Sequence, residues 1–207
     1  MAISVAEKDP RTKSFPNAVA EEHFISRAGS IWFVNRPISS DPDASTPMHS
    51  NPPHRVLFVC LGNICRSPAA EIIFRKLVID AGREADFEID SAGTIGHHRG
   101  ASPDSRMAVS LERQGYDVAG CARQILKTDL EHFDLIVTMD ESNLSDVRSL
   151  DPSGNLHPKI RELVGFCNDH DDLRVPDPYY GGQRGFDHVI RLLEDGCAGI
   201  LRHFRER

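Results

Sequence analysis

Cys60 and Arg66 are separated by five residues, a spacing that can join a sulfur nucleophile to an anion-binding guanidinium. A free cysteine titrates near pH ~8.5, so at neutral pH it is mostly an unreactive thiol. Convergent backbone N–H groups and a nearby guanidinium stabilise the thiolate, which is the reactive form. Arg66 can also hold two oxygens of a phosphoryl group while charge redistributes, and the hydroxyl of Ser67 can assist the sulfur when it leaves. These residues predict nucleophilic attack on a phosphate ester.

The residues on either side predict the backbone that this chemistry needs. Residues 56–59 are apolar throughout, which is typical of a strand buried on both faces. Ser67 and Pro68 form a typical helix start with proline in the first position. A loop between a strand and a helix N-terminus can turn its N–H groups toward one anion. Gly62 permits the tight backbone of such a loop, and Asn63 suits a left-handed conformation. The loop lacks the G-x-x-x-x-G-K-[ST] pattern, so nucleotide hydrolysis is not predicted.

From Arg55 onward, the sequence alternates between strand and helix patterns. Three further strands are predicted at 87–90, 133–139 and, more weakly, 159–163. Helices are predicted from Ser67 to Gly82, from Ser102 to Gly115 and over a short stretch from Glu141. A long C-terminal helix carries one apolar face, formed by Phe186, Val189, Ile190, Leu193, Cys197, Ile200, Leu201 and Phe204. This order predicts an α/β fold, a small parallel sheet with helices on both faces and the phosphate-binding loop after the first strand.

The first quarter of the chain differs in composition from the rest. It contains a Ser/Asp/Pro-rich run at 37–47 and no sustained periodicity. Polar breakers without an apolar pattern are typical of disorder, so residues 1–53 are predicted to be a disordered N-terminal extension and 54–207 the folded domain. Met48 offers an alternative start, which would leave out most of this extension.

The overall composition narrows the class of protein. The net charge of −7 gives no whole-chain attraction to nucleic acid, and no apolar stretch has the length of a membrane span or a signal peptide. Five cysteines at irregular spacings, without a C-x-x-C pair, resemble neither a secreted disulfide framework nor structural zinc. We expect a cytoplasmic protein without membrane insertion, nucleic-acid partner, metal or other cofactor. The oligomeric state is left open.

Motifs spread over residues 54–207 resemble those of the low-molecular-weight protein tyrosine phosphatases. The matching segments are CLGNICRSP at 60–68, DSAG at 90–93, SPD at 102–104 with Arg106, ARQ at 122–124, MDESNL at 139–144 and DPYYGG at 177–182. The resemblance implies a four-stranded parallel sheet and no metal. It also implies hydrolysis of phosphotyrosine in proteins, and of small aryl phosphates, through a phosphocysteine.

The resemblance identifies Asp177 as the general acid. A carboxylic acid on a loop bounded by proline and glycine also suits the protonation of a leaving oxygen, although an aspartate before proline is equally typical of a simple turn. Because Asp177 must be protonated while Cys60 is ionised, activity is expected to be highest at mildly acidic pH. The aspartate would then act as base toward water in the second step.

The resemblance also implies which residues surround the substrate. Tyr179 corresponds to an aromatic wall of the cleft, and Tyr180 follows it. The resemblance implies that this pair of tyrosines is phosphorylated in some relatives as a control point, and which of the two is modified is left open. Asn63 and Ser91 are expected to hold the loop by hydrogen bonds. The other residues expected to bind phosphate or substrate are Leu61, Gly62, Ile64, Cys65, Ser67 and His97.

Two positions depart from the family pattern. His97, followed by His98, stands where an aromatic residue commonly forms the other wall. We expect either weaker stacking or a pH dependence near the pKa of a histidine; an exposed histidine pair is the alternative. Gly120 stands where a histidine is common, which predicts a thinner hydrogen-bond network behind Asn63.

Cys60 and Cys65 lie across the loop from each other. The resemblance implies that they form a reversible disulfide, which would protect the thiolate from over-oxidation. Simple packing is the alternative for Cys65.

Other functions of the same fold stay open. Protein-arginine phosphatases carry a small threonine at the loop position of Ile64, and a branched apolar side chain there favours an aryl phosphate. An arsenate reductase needs cysteines that relay a disulfide, whereas Cys121, Cys167 and Cys197 show no such spacing and are predicted to be buried structural thiols. A non-catalytic phosphopeptide-binding module is expected to lack the nucleophile or the acid, and both are present.

Overall fold

The computed structural model describes residues 52–205, so the predicted extension at 1–53 lies almost wholly outside the described residues. The strands are β1 His54–Cys60, β2 Phe87–Gly93, β3 Leu135–Thr138 and β4 Ile160–Glu162. The α-helices are α1 Arg66–Asp80, α2 Ser105–Glu112, α3 Lys127–His132, α4 Glu141–Ser149 and α5 Gln183–His203. Short 3₁₀ turns lie at Glu84–Asp86, His157–Lys159 and Leu163–Phe166.

All four strands are parallel and lie in the order β2-β1-β3-β4. Side chains of the central strand β1 alternate between two cores. Val56 and Phe58 pack with α1, α2 and α5, whereas Leu57 and Val59 pack with α3 and α4. The predicted small parallel sheet with helices on both faces is confirmed. Because the strands are parallel, their carboxyl ends meet at one edge, and the segments that follow them come together there.

Some element boundaries differ from the predictions. Helix α1 begins at Arg66, so Pro68 is its third residue; a missing N–H costs nothing there, because the first turn has no intrahelical acceptors for these groups. Helix α2 begins at Ser105 and not at Ser102, because the side chain of Asp104 caps it by accepting the N–H of Arg106. Helix α3 was not predicted: it has six residues, and Leu130 is its one buried side chain.

Helix α5 is the longest of the described helices, and eleven of its 21 residues are buried. Its apolar residues cover one face of the sheet together with α1 and α2. Across residues 52–205, no helix combines the length and apolar character needed to cross a membrane.

Gly199 on α5 lets the backbone of the turn Leu163–Phe166 approach the helix. A Cβ at this position would collide with the carbonyl group of Phe166, which is fixed backbone. We expect Gly199→Ala to lower the free energy of unfolding by about 3 kcal/mol, measured by chemical denaturation. Gly185→Ala in the same helix is the control, since a Cβ there has no atom within 4 Å. It should leave stability unchanged or raise it by about 0.5 kcal/mol; equal values for both variants would contradict the packing argument.

Candidate active site

The loop after β1 closes into a fixed shape around Asn63. Its φ of 55° makes it the one non-glycine residue with positive φ among residues 52–205. The Asn63 amide nitrogen donates to Ser67 Oγ and Ser91 Oγ, both at 2.9 Å, and its oxygen accepts the backbone N–H of Arg123 at 2.8 Å. Both ends of the amide therefore have partners, so a backbone donor supports the network that Gly120 was expected to thin. The left-handed conformation of Asn63 agrees with the expectation from its side chain.

Cys60 ends β1 and is buried, with its Sγ 3.0 Å from Ser67 Oγ. The same Ser67 hydroxyl lies 3.2 Å from the carbonyl oxygen of Ala92. One hydroxyl proton can serve only one of these acceptors at a time. It is available to the Ala92 carbonyl when Cys60 is a thiol, and to the sulfur when Cys60 is a thiolate.

Arg66 is 3% exposed, and its guanidinium has three partners on two segments, one after β3 and one before α5. Nη1 forms an ion pair with Asp140 at 2.5 Å and donates to the carbonyl of Val175 at 3.1 Å, and Nη2 lies 3.5 Å from Asp177. Asp140 also caps α4 by accepting the N–H of Asn143. The guanidinium is therefore held in one orientation. The sequence analysis assigned no role to Asp140. Its position directly after β3 and before a helix could have predicted that it lies at the carboxyl edge of the sheet, beside the site.

Asp177 lies on the segment before α5, with 43% of its side chain exposed. One carboxylate oxygen accepts the N–H of Tyr179 at 3.1 Å, and the other faces Arg66. The segment is tied to the sheet where Val175 N–H donates to the carbonyl of Met139 at 2.8 Å. The carboxyl group is thus attached on one side and open to a bound molecule on the other.

These residues surround a cleft of about 280 Å³ at the carboxyl edge of the sheet. The predicted site residues that line it are Cys60, Leu61, Gly62, Ile64, Cys65, Arg66, His97, Asp177, Tyr179 and Tyr180. Asn63, Ser67 and Ser91 are buried behind the loop, where they hold its shape. Ile95 and His98 also line the cleft and were not assigned. Both residues follow β2, whose carboxyl end lies at the same edge of the sheet. This position in the sequence could have predicted that they line the cleft.

The five cysteines lie in different environments, and all are free thiols. Burial raises the pKa of Cys65 to about 12, and the negative charges of Asp104, Cys60 and Asp177 act in the same direction. Burial also raises the pKa of Cys167 to about 12, although this residue is only partly buried and so departs from the predicted buried thiol. Cys197 is fully buried in the core, as predicted, whereas Cys121 is exposed, which corrects the prediction of a buried thiol. It lies in the irregular segment before α3, outside both cores.

Comparison with known proteins identifies the family. The model of the low molecular weight phosphotyrosine protein phosphatases matches residues 55–207. The human low molecular weight phosphotyrosine protein phosphatase is 44% identical over 147 residues, which cover 70% of this chain and 92% of the human protein. The crystal structure of a protein tyrosine phosphatase from Entamoeba histolytica, with Hepes in its active site, superposes with a TM-score of 0.72 at 40% identity, covering 74% of this chain and 97% of that chain.

An arginine phosphatase from Drosophila shares the same architecture. Its crystal structure superposes with a TM-score of 0.67 at 34% identity, covering 72% of this chain and 96% of that chain. The family match extends over most of the chain and over all but the first three of the described residues. The chain therefore belongs to the low molecular weight phosphotyrosine protein phosphatase family.

Proposed function

We propose that this protein hydrolyses phosphotyrosine in protein substrates in two steps, through a phosphocysteine intermediate on Cys60. The hydrolytic activity on phosphotyrosine is that of the family to which the chain belongs. The observation that carries the mechanism is the convergence of Cys60, Arg66 and Asp177 on one cleft, although they come from two segments more than 100 residues apart. No metal is needed for this chemistry.

In the first step, the Cys60 thiolate attacks phosphorus in line with the tyrosyl oxygen. The S–P bond forms, the P–O bond breaks, and Asp177 gives its proton to the leaving phenolate oxygen. The loop N–H groups and the Arg66 guanidinium hold the three non-bridging oxygens. Asp140 supports this step because it fixes the orientation of that guanidinium.

In the second step, water replaces the cysteine. Asp177, now ionised, takes a proton from water, the new P–O bond forms and the S–P bond breaks. Ser67 can then donate to the departing sulfur, since its hydroxyl lies 3.0 Å from Sγ. The first step needs an ionised Cys60 together with a protonated Asp177, so activity is expected to be highest at mildly acidic pH.

The cleft walls support tyrosine as the phosphorylated residue. Tyr179 and His97 line the cleft together with the branched side chain of Ile64, which suits an aromatic ring better than a guanidinium. The Drosophila arginine phosphatase has the same fold, so the overall architecture does not distinguish the two substrates. We propose that Ile64 contributes to the choice.

We make further proposals about the cellular compartment of the protein and the regulation of its activity. The five free thiols and a thiolate nucleophile suit a reducing, cytoplasmic compartment. Cys60 and Cys65 both line the cleft, and we propose that a peroxide can join them. The peroxide oxidises the Cys60 thiolate to a sulfenic acid, the Cys65 sulfur then displaces water from it to form the disulfide, and a thiol reductant restores both cysteines. Tyr180 is 95% exposed, which is compatible with phosphorylation.

The test of the proposed function is turnover of phosphotyrosine, phosphoarginine and phosphoserine peptides by the wild type and Ile64→Thr. The wild type should prefer phosphotyrosine by roughly 10-fold or more in kcat/KM, and Ile64→Thr should reduce this ratio. Faster turnover of phosphoarginine by the wild type would contradict the assignment to tyrosine. Binding of the peptides without turnover would indicate a phosphopeptide-binding module, and arsenate-dependent oxidation of thiols would indicate a reductase.

A further inference from the structure

Arg106, in the first turn of α2, connects two segments of the active site that are distant in sequence. The N–H of Asp104 donates to the carbonyl of Ile64 in the phosphate-binding loop at 2.7 Å. The Asp104 carboxylate in turn accepts from Arg106 Nε at 3.0 Å and Nη2 at 2.8 Å. Asp104 therefore connects the loop to the Arg106 guanidinium.

The third nitrogen of this guanidinium binds the segment that carries the acid. Arg106 Nη1 donates to the carbonyl of Tyr179 at 2.8 Å, and the guanidinium carbon lies 5.0 Å from the centre of the Tyr179 ring. It also lies 5.2 Å from the ring of Phe186 on α5, so it is placed between two aromatic rings. One side chain therefore fixes both the backbone and the ring of Tyr179.

Because Arg106 holds Tyr179, it also restricts the position of Asp177, the proposed acid. The Tyr179 N–H donates to Asp177 Oδ1, while Asp177 Oδ2 faces Arg66. The contacts thus form a closed ring from the phosphate-binding loop through Asp104, Arg106 and Tyr179 to Asp177 and back to the loop. A ring of this kind limits the position of a carboxyl group that is itself partly exposed.

The ion pair between Asp104 and Arg106 stays charged at the mildly acidic pH at which the enzyme is expected to be most active. Hydrogen bonds from the Arg106 side chain hold the pKa of Asp104 below its ordinary value. The side chain of Asp104 is 11% exposed and that of Arg106 is 46% exposed. The Asp104 carboxylate is therefore shielded from water, and the more exposed Arg106 guanidinium binds the Tyr179 carbonyl.

We propose that Arg106 is a positioning residue, which holds Asp177 within reach of the leaving oxygen and orients the Tyr179 ring that borders the substrate. The proposal rests on the acid role of Asp177 given above. It predicts that the loss of Arg106 has the kinetic signature of a misplaced acid and not that of general destabilisation.

The test uses aryl phosphates whose phenols range from good to poor leaving groups. Arg106→Met keeps the aliphatic stem but removes the donors. The rate of phenol release in a saturated single turnover, which reports the first step alone, should fall roughly 10-fold or more for poor leaving groups, with little change for good ones. Arg106→Lys keeps a cationic donor to the Tyr179 carbonyl, so it should recover part of the loss. In an Asp177→Ala background, Arg106→Met should change this rate by less than about 2-fold, because the acid that it positions is absent.

Arg83→Met is the matched control. Arg83 also pairs with a nearby carboxylate, that of Asp86 at 2.7 Å, and stacks over Phe87 at 5.0 Å, outside the cleft. Its removal should leave the leaving-group dependence unchanged. An Arg106→Met effect that is equal for all leaving groups, or that persists in full without Asp177, overturns the positioning role. If Asp177→Ala itself lacks a leaving-group dependence, the acid assignment fails, and the positioning role fails with it.

Discussion

Cys60→Ser is expected to abolish turnover of phosphotyrosine, with a loss in kcat of about 10⁵-fold or more, while phosphate binding is retained. A serine hydroxyl does not ionise near neutral pH, and no neighbouring base replaces the thiolate. The loop shape depends on Asn63 and the guanidinium of Arg66 is held by Asp140, so the anion site should survive.

Rapid-quench kinetics and intact-protein mass spectrometry check this prediction. The wild type should show a burst of phenol release and a trapped phosphoenzyme after acid quenching, and Cys60→Ser should show neither. Cys121→Ser is the matched control, because Cys121 is exposed and does not line the cleft. Substantial turnover by Cys60→Ser would exclude the phosphocysteine mechanism.

Arg66→Lys is expected to lower kcat/KM by roughly 10³-fold, although the positive charge is kept. The guanidinium contacts Asp140 and the carbonyl of Val175 through Nη1 and Asp177 through Nη2, and it still has to bind the phosphate oxygens. A lysine ammonium is a single point charge and cannot serve all of these groups in one geometry. The loss should therefore be larger in kcat than in the affinity for inorganic phosphate.

Steady-state kinetics measure the loss in kcat, and inhibition by inorganic phosphate measures the change in phosphate affinity. Arg55→Lys provides the matched control, since Arg55 forms a two-contact pair with Asp134 at the opposite end of β1. Circular dichroism should show that both variants are folded. Wild-type activity in Arg66→Lys would mean that a simple positive charge is sufficient, and the bidentate role would then be wrong.

Much of the fold could be predicted because its signals are local. The apolar run of β1 is buried on both faces, and the α1 and α2 segments are followed by Gly82 and Gly115 at positive φ, where an L side chain would be strained. Helix α3 escaped prediction, because six residues with one buried side chain give no periodic pattern. The start of α2 was misplaced because a Ser-Pro pair and an aspartate cap are both adequate starts, and the sequence alone does not rank them.

The nucleophilic loop is the part of the site that the sequence determined by itself. Cys60, Asn63 and Arg66 lie within seven consecutive residues between a strand and a helix, so their geometry follows from local backbone conformation. The supporting contacts were decided only by the tertiary structure. Asp140 lies 74 residues from Arg66, and Tyr179 lies 73 residues from Arg106. The residues of each pair meet because parallel strands bring their carboxyl ends to one edge of the sheet. A pattern of neighbouring residues does not predict which of the loops at that edge are in contact.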